Sequence, residues 1–108
     1  GKTARARLFD GPERPFDTAV GDDPARGVLC VSQFTLQGDL RRGNRPSWSA
    51  AAAPKHAEPL VDAYVAALRG EGLPVRTGVF GAHMVVSLQN DGPVTLTLDS
   101  AELTAPRA

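Results

Sequence analysis

The chain has 108 residues, 42% of them hydrophobic, which suits one globular domain and argues against disorder. Lys plus Arg equals Asp plus Glu, 12 against 12, so general polyanion binding, which rests on neutralising phosphates, is not expected. One cysteine cannot build a disulfide framework or a cysteine metal cage, and no apolar run approaches the length of a membrane span.

In chain order, residues 2–9 read as a short strand ending Ala6-Arg7-Leu8-Phe9. Residues 10–26, rich in Pro, Gly and charge, read as loop with a brief extended piece at 16–20. Residues 27–36 give the clearest strand. Its first half, Val28-Leu29-Cys30-Val31, is continuously apolar and predicts burial on both faces, with Cys30 a buried, inert thiol suited to a reducing, cytoplasmic setting. Its second half turns polar at Ser32, Gln33 and Thr35, and polar groups at the end of a buried strand need partners or a ligand.

Residues 37–53 read as loop. Three arginines, Arg41, Arg42 and Arg45, fall close together there, and Trp48 is expected to anchor the loop to the core. Residues 54–69 carry apolar positions at Leu60, Val61, Tyr64, Val65 and Leu68, one stripe of an amphipathic helix. Pro54 suits its first turn, and Gly70 and Gly72 suit its end. Residues 73–77 read as a short strand, and 78–81 as a turn holding Phe80.

Residues 84–89 and 94–99 alternate apolar and polar side chains, the pattern of half-buried strands. The turn between them is Asn90-Asp91-Gly92-Pro93-Val94-Thr95. An Asn-Gly or Asp-Gly turn would close a hairpin. A proline after the glycine makes this turn stiffer than closure requires. Residues 100–108 read as a tail.

No catalytic constellation stands out from composition. His56 and His83 lack ligand-spaced partners, so no metal site is expected, and no glycine motif for phosphate is present. Thr35 offers a hydroxyl with no evident base beside it, which favours a structural role over nucleophilic attack.

Two segments, Ser32-Gln33-Phe34-Thr35-Leu36 and Asn90-Asp91-Gly92-Pro93-Val94-Thr95, resemble the two signature motifs of the D-aminoacyl-tRNA deacylases, SQFTL and NxGPxT. Between them, Arg42-Gly43-Asn44-Arg45-Pro46-Ser47-Trp48 resembles that family's RGxRPSF loop, with Trp for Phe. Thr77-Gly78-Val79-Phe80-Gly81-Ala82-His83-Met84 resembles its TGxFGAxM segment. The ordered likeness covers about residues 2–100. Ser32-Gln33 and Asn90 fit the D-specific branch better than a related branch acting on L-alanine mischarged on tRNA.

The resemblance implies an α+β fold, a mixed, curled barrel-like β-sheet with the amphipathic helix packed outside. It implies hydrolysis of the ester of D-aminoacyl-tRNA, and of glycyl-tRNA mischarged on the alanine tRNA, without cofactor or metal, in the cytoplasm and with no membrane contact. It implies a homodimer in which a cis Gly92-Pro93 bond enters the partner subunit's pocket and rejects L side chains by clash. Ser32, Gln33, Phe34 and Thr35 would form the catalytic floor, the tRNA's own 2′-hydroxyl would assist, and Thr35 would position rather than attack. Phe80 and Met84 would line the site for the terminal adenosine, with Asn90 and Thr95 completing the turn motif. Arg41, Arg42 and Arg45 would touch tRNA phosphate. Family members open with strands that this chain lacks, so residues 1–108 are expected to be a single, N-terminally incomplete domain. An inactive tRNA-end-binding or dimerisation module is the alternative.

Overall fold

The computed structural model describes residues 1–104. Its elements are α1 (Lys2–Arg5), β1 (Val28–Cys30), α2 (Pro54–Gly70), β2 (Val75–Thr77) and α3 (Ser100–Thr104), with short 3-10 turns at Val20–Asp22 and Phe34–Gln37. β1 and β2 pair in parallel, Val28 opposite Val75 and Cys30 opposite Thr77. Parallel strands need a crossover connection, and α2 lies within it.

α2 forms where the apolar stripe placed it. Pro54 occupies the first turn, where its missing N–H costs nothing. At the other end Gly72 takes φ 82°. Its N–H donates to the Arg69 carbonyl at 3.0 Å, and the Leu73 N–H donates to the Leu68 carbonyl at 3.4 Å. This is a Schellman closure, with Leu68 and Leu73 as its apolar pair. Val65 and Leu68 face inward and join Val20, Leu73 and Val75 as the buried core. The Arg69 guanidinium donates to the Val75 carbonyl at 3.0 Å, which ties the helix end to β2.

The N-terminal half is held by polar and aromatic ties. Phe9 and Thr18 form an isolated antiparallel bridge. Arg26 lies over the Phe9 ring, 4.3 Å from its centre, and donates to Thr18 Oγ1 and the Ala19 carbonyl at 2.9 Å. Thr3 Oγ1 and the Tyr64 hydroxyl are 2.6 Å apart, and the N-terminal ammonium pairs with Glu71, so α1 docks on α2.

Several expectations are corrected. Residues 2–9 are not a strand: Lys2–Arg5 are helical, and Phe9 alone makes a bridge. The strand expected at 27–36 stops at Cys30, and the chain coils into a 3-10 turn at Phe34. It is not buried on both faces, since Leu29 is 63% exposed and Cys30 only half-buried. Residues 84–89 and 94–99 form no strand; Val85, Leu88 and Leu96 lie open. Alternation prepares a face for burial but supplies no neighbouring strand, and a lone two-stranded hairpin is marginal in water. Residues 100–104 are not a tail but a helical turn, begun by Asp99 Oδ1 accepting the Ala101 N–H at 2.9 Å. The remainder of that expected tail lies outside the described residues.

The architecture is therefore a small mixture of helix and strand with one short parallel pair, not a sheet closed into a barrel. The Cα radius of gyration, 16.2 Å, exceeds the roughly 13 Å usual for this length. Among the described residues, no helix is long and apolar enough to cross a membrane.

Candidate functional site

Where β1 ends, the chain runs through Ser32 and Gln33 and turns at Phe34. This segment floors a cleft of about 560 Å³. One wall is the turn after β2, with Phe80, Gly81, Ala82 and Met84. The opposite wall is the start of α2 and the residues before it: Ala51, Ala52, Ala53, Pro54, Ala57 and Val61. Gln37 and Trp48 close the remaining side.

Small residues make this shape possible. A Cβ on Gly78 would sit 2.6 Å from Met84 Sδ, so glycine lets the Met84 side chain pack down over the β2 end. A Cβ on Gly38 would meet Trp48 Nε1 at 3.3 Å. The indole fits there and meets Phe34 edge to face, ring centres 5.5 Å apart and planes at 67°. The alanines opposite leave the space that larger side chains would fill.

The cleft is apolar with a few polar groups, the ordinary character of a small-ligand site. Its polar side chains are Ser32, Gln33 and Gln37, and no residue lining it carries a titratable side chain. Among the described residues, no three of His, Cys, Asp and Glu gather as metal ligands. Thr35, next to the floor, is exposed and does not line the cleft; its carbonyl accepts the Gly38 N–H at 3.0 Å. The Thr35 hydroxyl makes no hydrogen bond to a described residue.

The second motif lies elsewhere. The Gly92–Pro93 bond is cis. Gly92 and Pro93 line a separate hollow of about 320 Å³ with Leu8, Phe9, Asp10, Phe16, Asp91 and Val94. Asn90 and Thr95 are exposed, and Asn90 Oδ1 lies close over Gly92. The structure thus gathers Ser32, Gln33, Phe34, Phe80 and Met84. It leaves Asn90, Gly92, Pro93 and Thr95 away from them within one chain.

The sequence reading missed three parts of the cleft. Trp48 was expected to anchor a loop on the core, yet it is 39% exposed and faces Phe34 across the cleft wall. Val61 was assigned to the core stripe. The alanines at 51–53, taken only as part of the loop over residues 37–53, form one wall. A short run of small residues between a lone Trp and a helix start was the available signal.

Beside the cleft, Asp39 and Ser47 bridge backbone to backbone at 2.7 and 2.9 Å. Arg41 Nε and Nη2 fork onto the Asp39 carboxylate at 2.7–3.0 Å. The Arg41 side chain, and then its backbone N–H, hold the Asp39 carboxyl below its ordinary range.

The family model described as D-Tyr-tRNA(Tyr) deacylase matches residues 1–99. The chain is 58% identical over 107 residues to the D-aminoacyl-tRNA deacylase of Kocuria rhizophila, covering 99% of this chain and 67% of that protein. It is 56% identical over 106 residues to the D-aminoacyl-tRNA deacylase of Chloroflexus aurantiacus, covering 98% and 66%. Against the D-aminoacyl-tRNA deacylase of Thermus aquaticus it is 54% identical over 101 residues, covering 94% and 66%. The chain therefore spans about two thirds of the length of these curated relatives. With nearly its whole length matched, the chain belongs to the D-Tyr-tRNA(Tyr) deacylase family.

Proposed function

We propose that the protein hydrolyses the ester joining a D-amino acid to the 3′ end of tRNA. Water adds to the ester carbonyl, the bond to the ribose oxygen breaks, and free D-amino acid and tRNA leave. The observation that carries this reading is the composition of the cleft. It is roomy, apolar and aromatic, yet no side chain lining it can serve as acid, base or activated nucleophile. Such a site catalyses by holding its substrate, and good orientation alone can supply about 7–11 kcal/mol of the barrier.

In this reading the terminal adenosine lies between Phe80, Met84 and the Phe34–Trp48 pair, because aromatic faces stack on bases. Ser32 and Gln33 hold the aminoacyl end. The leading N–H groups of the Phe34–Gln37 turn, which have no acceptor inside the turn, stabilise the negative charge that develops on the carbonyl oxygen. The substrate's own 2′-hydroxyl supplies the polar assistance that the protein lacks. Thr35 shapes the turn and takes no part in bond making.

The protein acts as a homodimer in the cytoplasm. The turn from Asn90 to Thr95 belongs to a second copy's cleft, where Gly92 and Pro93 reject an L side chain by collision. What supports this is their separation from the cleft within one chain, together with the motif they share with the family. Glycine has no side chain to reject, so glycyl-tRNA mischarged on the alanine tRNA is hydrolysed as well.

The test is hydrolysis of D-tyrosyl-tRNA against L-tyrosyl-tRNA. The reading expects the D ester to be cleaved and the L ester spared. Equal rates, or tRNA binding without turnover, would overturn it, and the latter would favour a tRNA-end-binding module.

A further inference from the structure

We infer that residues 39–47 form a phosphate-binding hairpin in which Arg42 and Arg45, but not Arg41, contact the RNA backbone just upstream of the nucleotide held in the cleft. This rests on the reading of the cleft as the site of the acceptor end. The hairpin is closed at its base by the paired backbone bonds between Asp39 and Ser47. Both of its stems start from the cleft: Gln37 lies two residues before Asp39, and Trp48 directly follows Ser47, and both line the cavity. Because Trp48 packs on Phe34, the tip is held in a set relation to the bound end.

The three arginines are not equivalent. Arg41 is occupied by the bidentate Asp39 carboxylate, so that pair presents little net charge. Arg42 and Arg45 are exposed and have no ion-pair or hydrogen-bond partner among the described residues. They are therefore the cations available to a polyanion. The chain has equal numbers of cationic and anionic side chains, so its attraction for RNA must be local rather than general. A pair of unneutralised guanidiniums on a hairpin whose stems start from an acceptor-end cleft matches phosphodiester oxygens in charge and in donor geometry.

The test is the salt dependence of binding to uncharged tRNA, followed by fluorescence anisotropy. Each single-strand phosphate contact contributes about 0.7 to the slope of log affinity against log salt. The double variant R42A/R45A is expected to lower that slope by about 1.4. R42K/R45K restores it, because counterion release counts charge. R41A leaves it unchanged. D39N, which frees Arg41, steepens it by about 0.7. An unchanged slope in R42A/R45A, or an equal loss in R41A, would overturn the assignment. Uncharged tRNA separates the two claims. If the protein hydrolyses no D-aminoacyl-tRNA, the deacylase reading falls, while the slopes still decide the arginine contacts.

Discussion

Gly92→Ala places a methyl group where the turn leaves no room. Its Cβ would run into the Val94 backbone nitrogen and lie 3.0 Å from Asn90 Oδ1. A side-chain tip can rotate away, but a backbone nitrogen moves only with the chain, so the whole turn shifts. A displacement of about 1 Å in a substrate-positioning group costs on the order of 100-fold in rate. At ~1.36 kcal/mol per tenfold, that is about 2.7 kcal/mol of transition-state stabilisation. The fold should register far less. Gly92 is exposed and lies outside the core of Val20, Val65, Leu68, Leu73 and Val75, so global stability changes by less than about 1 kcal/mol. The assay is kcat/KM on D-tyrosyl-tRNA and L-tyrosyl-tRNA, with a thermal melt beside it. The expected result is a loss of about 100-fold on the D ester, a narrowed D/L ratio and a nearly unchanged melt. Wild-type kcat/KM with undiminished chiral discrimination would refute the assignment of the filter to this turn.

Three further outcomes are expected. Thr35→Ala keeps substantial deacylase activity, because its hydroxyl has no base beside it; complete loss with an intact fold would make Thr35 a nucleophile. Leu68→Ala, at a position only 3% exposed, lowers unfolding free energy by about 2–5 kcal/mol in chemical denaturation. A loss under ~1 kcal/mol would mean that Leu68 carries little of the core. Gly72→Ala costs about 1 kcal/mol by backbone strain alone, since its Cβ would meet no atom within 4 Å while φ is 82°. A variant as stable as wild type would show that the Schellman closure tolerates a side chain there.

Legibility followed the range of the forces involved. α2 was readable because its determinants are local: the 3.6-residue stripe through Val65 and Leu68, Pro54 at one end and Gly72 at the other. The 73–77 strand was readable to within two residues, since Val75 is core and β1 lies beside it. Residues 84–89 and 94–99 misled because alternation records which side chains favour burial, not which strand lies alongside. Among the described residues they have no ladder, and Val85, Val86, Leu88, Leu96 and Leu98 stay open. Ser32 to Leu36 read as a continued strand from its composition, yet it leaves the sheet after Cys30 and turns at Phe34. Gly38 admits Trp48 against the turn, and its meaning depends on that contact ten positions away. Motif likeness alone drew attention to Ser32, Gln33, Phe34, Phe80 and Met84, which line one cleft. Composition offered no chemistry there because the cleft has no titratable side chain to offer.

That absence is the central claim: the cleft positions the ester, and the substrate brings the assisting hydroxyl. The most direct test compares D-tyrosyl-tRNA ending in adenosine with D-tyrosyl-tRNA ending in 2′-deoxyadenosine, at saturating substrate. The account predicts turnover of the first and loss of turnover, with binding retained, on the second. Equal hydrolysis of both would contradict it, and would mean that a protein group performs the step assigned here to the RNA.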